Sequence, residues 1–121
     1  MLELKTGYFA KVNKYREEGY MPIAISVSKP NWFNGNSLNI FAPEWSLVDK
    51  WKKGLITWDD YRKDYCNMLS RRNIAHTLRL LEPYKKVVLL CYEKPSDKCH
   101  RHELADYLKT KFGLDVKELE V

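Results

Sequence analysis

Cys91, Cys99, His100, Arg101 and His102 put two thiols, two imidazoles and a guanidinium into one short stretch of chain. A thiol at a helix start has its thiolate form stabilised, so Cys99 is a candidate nucleophile with His100 or His102 as acid or base. Arg101 offers a forked donor suited to carboxylate or phosphate, with His102 beside it. Two features count against catalysis. No orienting partner for either histidine is visible in the chain, and helical geometry turns adjacent residues about 100° apart. The plainer role for both thiols is burial, because free cysteine is among the most buried residue types. A zinc site is a third use of Cys91, Cys99, His100 and His102, although the long gap between the cysteines misses the usual paired spacing.

These side chains need a scaffold. Residues 86–92 carry Val87, Val88, Leu89, Leu90 and Cys91 in unbroken succession, which suits a strand covered on both faces. Pro95, Ser96 and Asp97 mark a turn. Leu104, Ala105, Leu108 and Phe112 then give a helix its apolar face, and Gly113 ends it. The reactive stretch therefore leaves the carboxyl end of a strand and enters a helix, the place where ligands bind in open α/β sheets. Unpaired N–H groups at the helix start favour anions there.

Elsewhere, strands are expected at residues 2–5, 20–28 and 116–121. Helices are expected at 8–18, at 44–53, after Thr57 and at 73–81. Thr57 with Asp60 has the look of an N-cap followed by a first-turn acid. Trp58, Tyr61, Tyr65, Met68 and Leu69 recur at helical spacing and predict core packing rather than an exposed aromatic surface. Strands alternating with helices over 121 residues predict a single α/β domain, a three-layer sandwich with a mostly parallel central sheet.

Residues 29–43 are rich in Pro, Asn and Gly, yet contain Trp32 and Phe33, which a solvated loop would not need. If the strand before this loop neighbours the one ending at Cys91, then Lys29, Asn31, Trp32 and Asn34 can face the reactive stretch across a cleft. Trp32 would stack on a base or sugar, and the basic groups would hold phosphate. The alternative for Trp32 is to plug its own loop onto the core.

The chain is 45% hydrophobic and 31% charged, which is globular composition, and no apolar run reaches membrane-spanning length. No secretory leader is recognisable at the start, and three cysteines do not read as a disulfide scaffold, so a cytoplasmic location is expected. The net charge of +5 favours anionic partners modestly. Lys52-Lys53, Arg71-Arg72 and Lys85-Lys86 are dispersed, as solvated surface charge is.

The run Val87-Val88-Leu89-Leu90-Cys91-Tyr92-Glu93-Lys94, followed by Cys99-His100-Arg101 and Leu104-Ala105, resembles the domain-of-unknown-function 488 family. Ala42-Pro43, Trp58-Asp59-Asp60-Tyr61 and Tyr65 are similar to its helical middle. The resemblance implies an α/β fold and a shared site drawn from Cys91, Glu93, Cys99, His100 and Arg101. It implies no reaction and no particular cofactor. Members usually carry an Asp-Val-Arg or Asp-Arg element at the end of an early strand, where this chain has Ser26-Val27-Ser28-Lys29. Lys29 would keep a positive charge there, as an ammonium rather than a fork.

Three functions follow, in order. The first is an enzyme or ligand-binding domain for a phosphate-bearing ligand, a nucleotide or nucleic acid. The second is a non-catalytic protein-interaction module, and the third a small zinc-binding domain.

Overall fold

A computed structural model of the chain describes residues 2–92 and 98–121. The strand β4 (Lys86–Cys91) is buried from its second residue to its last. It sits at the centre of a five-stranded sheet in the order β3-β2-β4-β1-β5, with all neighbours parallel among the described residues. Its companions are β1 (Glu3–Tyr8), β2 (Met21–Ala24), β3 (Asn36–Ser37) and β5 (Lys117–Glu118).

Alternation along β4 explains the layers. Val87 and Leu89 enter a large core shared with α2 (Trp45–Lys52), α3 (Trp58–Ser70), α4 (Ile74–Leu81) and α5 (His100–Phe112). Val88 and Leu90 enter a smaller one with Phe9, Val12, Tyr15 and Phe33, under α1 (Val12–Glu17). The result is a three-layer α/β sandwich.

The strand expected at 20–28 is confined to Met21–Ala24, and that expected at 116–121 to Lys117–Glu118; two larger differences bear on the site. β1 runs on past Lys5 through residues 6–8, and Tyr8 lies in the strand rather than opening a helix, because Thr6, Gly7 and Tyr8 pair with Leu89, Leu90 and Cys91. Gly7 allows this: a Cβ there would lie 2.6 Å from the Tyr15 ring that covers it. A 3-10 turn at Phe9–Lys11 then leads into α1. The second difference is in residues 29–43, which hold β3 and a 3-10 turn at Asn39–Phe41. The Tyr65 hydroxyl donates to the Phe41 carbonyl at 2.6 Å, and Arg72 donates to the carbonyls of Ala42 at 2.6 Å and Ile40 at 2.9 Å. Arg72 thus fixes loop backbone rather than serving as surface charge.

The strand order positions the site. From β2 the chain moves outward to β3, whereas from β4 it crosses the other way, over β1 to β5. Adjacent strands whose connections diverge leave a crevice outside their carboxyl ends. Here that crevice lies between the ends of β2 and β4.

Candidate functional site

Cys91 closes β4, and Cys99 is the N-cap residue of α5. Both are buried, and their sulfurs are joined as a disulfide with the Cα atoms 7.6 Å apart. The sequence had presented them as free thiols, metal ligands or catalytic groups. The two residues are eight apart in the sequence.

His100 begins α5 and is 7% exposed. Its Nε2 lies 2.7 Å from the carbonyl oxygen of Ile25, the residue just after β2. A carbonyl only accepts, so Nε2 carries the proton and Nδ1 keeps its lone pair. Nδ1 lies 3.8 Å from Cys99 Sγ. Burial holds the imidazole pKa down, to about 4, so the ring is neutral at pH 7. Both sequence objections to this pair are met here. Ile25 is the orienting partner, and Cys99 has extended backbone (φ −150°, ψ 144°), so the helical angle between neighbours does not apply.

Arg101 has a different placement from that expected of a ligand-binding fork. It is fully buried, and its Nε and Nη2 donate to the two carboxylate oxygens of Glu118, each at 3.1 Å. Its Nη1 donates to Cys91 Sγ at 3.0 Å. Thr6 also donates to Glu118, at 2.7 Å, and the Tyr8 ring lies 5.9 Å from the guanidinium carbon. Arg101 therefore ties β4, β1, β5 and α5 together beneath the site.

A cleft of about 110 Å³ opens where the strand ends diverge. Ser26 and Ser28 line it from the β2 side, with Lys98, Cys99 and His100 from the β4 side. Trp51, Trp58 and Tyr61 form an aromatic wall from α2 and α3. Trp58 and Tyr61 stack at 4.5 Å, Trp51 packs on Trp58 at 5.1 Å, and the Lys98 ammonium sits 5.6 Å from the Trp51 ring centre. A broader groove of about 850 Å³ is lined by α3 and α5 alone, and the Arg62–Glu103 ion pair at 2.9 Å joins the two helices there. The smaller cleft is the one that Cys99 and His100 line.

The structure gathers Cys91, Cys99, His100 and Arg101. Lys29, Asn31, Trp32 and Asn34 stand apart from the cleft. All but Asn31 meet the α1-side layer: Trp32, 61% exposed, packs edge-on against Phe9, Lys29 lies over Phe33 and donates to the Gly35 carbonyl, and the Asn34 carbonyl accepts from Arg16. His102 is half-buried with Nε2 unpartnered among the described residues, outside the cleft lining. Glu93 lies outside the described residues. Helical spacing pointed Trp58 and Tyr61 to core packing, and nothing in that spacing marks a core aromatic that also borders a cleft. Glu118 carried no local signal at all.

The model for a family described as the active DUF488-N3 subclade matches residues 20–112, which includes β2, β4, α5 and every residue of the cleft. No curated protein and no solved structure matches the chain. No helix among the described residues is long and apolar enough to cross a membrane. The matched span takes in most of the sheet and the whole Cys-His-Arg constellation, and on it the chain belongs to the DUF488 family.

Proposed function

We propose that this domain binds a phosphate-bearing ligand of the nucleotide class in the cleft between the β2 and β4 ends, with His100 and, once its disulfide to Cys91 is reduced, Cys99 as the groups that act on it. One observation carries the reading. The cleft lies where the strand connections diverge, and it faces an aromatic wall on one side and the Cys99–His100 pair on the other. Aromatic rings in the lining suit a base, which stacks without regard to sequence. Lys52, Lys98, the Ser28 hydroxyl and the start of α5 suit phosphate oxygens. The volume fits one phosphate or sugar-sized group, with the rest of the ligand lying along the rim. The subclade's description as active accords with chemistry at the site rather than binding alone.

Trp32→Phe with Trp45→Phe leaves only the cleft tryptophans to fluoresce. Nucleoside monophosphates at millimolar concentration are then expected to quench the emission saturably, and Trp51→Ala to weaken binding about tenfold, the share of one stacking contact. If neither nucleoside monophosphates nor inorganic phosphate changes the emission or the amide spectrum, the proposal fails.

A further inference from the structure

We propose that in its dithiol form the Cys91–Cys99–His100 cluster is a zinc-type divalent-cation site with its fourth position open to the cleft. The inference rests on the cluster's own geometry and not on which ligand the cleft holds.

Cys91 Sγ, Cys99 Sγ and an imidazole nitrogen of His100 all lie within 4.8 Å of one another, and all three residues are buried. Tetrahedral zinc, with Zn–S near 2.3 Å and Zn–N near 2.0 Å, requires about 3.6 Å between sulfur and nitrogen and about 3.8 Å between sulfurs. The Cys99 Sγ to His100 Nδ1 distance is already 3.8 Å. The backbone separation favours a spread pair of sulfurs. At 7.6 Å the Cα atoms stand wider than the roughly 4.4–6.8 Å usual for a disulfide.

The surrounding contacts are those a metal ligand needs. Metal-ligating histidines donate their other N–H to a carbonyl or carboxylate, which fixes the tautomer and aims the lone pair. Nε2–H to the Ile25 carbonyl does this for His100. The Arg101 N–H on Cys91 Sγ offsets thiolate charge, while Glu118 balances the guanidinium. Three protein ligands with an open fourth position is the pattern of a catalytic zinc centre, whereas structural centres are closed by four. Cys99 and His100 both border the cleft, so the open position faces a bound ligand.

The chemistry balances as follows. A dithiol reductant transfers two electrons and two protons to the Cys91–Cys99 bond, leaving as its own cyclic disulfide, and two thiols result. The cation then displaces one proton from each thiol and takes both thiolates and Nδ1 as ligands. The disulfide form cannot bind it.

The test uses the full chain carrying Cys66→Ser, which removes the free thiol. After reduction by a dithiol and anaerobic exchange, Co²⁺ is titrated in. One equivalent is expected to give thiolate-to-cobalt charge-transfer absorption, which Zn²⁺ then bleaches. The oxidised protein should give none, and His100→Gln should bind at least about tenfold more weakly with an unchanged circular dichroism spectrum. Cys99→Ser should abolish most of the absorption. The proposal is overturned if reduced, folded protein shows no charge-transfer band, if oxidised protein binds Co²⁺ equally, or if both variants bind as the parent does. Nucleotide quenching measured on metal-free protein fails or succeeds separately, so the two proposals fall independently.

Discussion

At the scale of single residues, His100 and Arg101 are polar groups held in the interior by partners from distant parts of the chain. His100 is buried neutral, with its pKa lowered to about 4 from the ordinary 6.5 because desolvation penalises the charged ring. The unfolded chain therefore binds a proton below pH 6.5 that the folded chain refuses. The stability from this group is complete above pH 6.5 and is lost as the pH falls through 4, on the order of 3 kcal/mol across the window. Urea midpoints measured from pH 7 to 4 should fall in the parent and flatten in His100→Gln; parallel slopes would refute the assignment. Arg101→Ala strands the Glu118 carboxylate and should cost about 3–5 kcal/mol. Pairing Arg101→Met with Glu118→Gln should recover much of that loss, which a double-mutant cycle on the unfolding free energy would read out.

At the scale of elements, local chemistry and distant contacts can be told apart. The start of α3 is local. Thr57 accepts from the Asp60 N–H at 3.1 Å, and the Asp60 carboxylate accepts from the Thr57 N–H at 3.2 Å, closing a capping box. Thr57→Ala should lower stability by about 1 kcal/mol in thermal unfolding. That start was readable from residue types, as were the strand character of β4 and the end of α5 at Gly113. The end of β1 was not. Residues 6–8 show no strand pattern, and they are extended only because β4 offers them a parallel partner. Gly7→Ala puts a methyl into the Tyr15 ring and should cost about 1–3 kcal/mol. A melting temperature unchanged from the parent would show that Tyr15 can move aside.

At the scale of the whole molecule, the divergence of β2 and β4 opens a cleft beside Cys99 and His100. A nucleoside monophosphate should therefore slow amide exchange at residues 26–28 and 98–101 while leaving β5 unchanged. Protection confined to the α3–α5 groove would move the ligand there instead. The local pattern of residues by itself determined the α/β class, the buried central strand and the Cys-His-Arg stretch at its mouth, because periodicity, caps and turn residues act over a few positions. Only the tertiary structure decided which groups share the site. Trp32 and Lys29 went to the opposite layer, Trp51, Trp58 and Tyr61 came to the cleft, and Glu118 took the arginine fork. Those choices depend on strand order and on which side of the sheet each connection crosses, and long-range pairing leaves no mark on the residues near it in the chain.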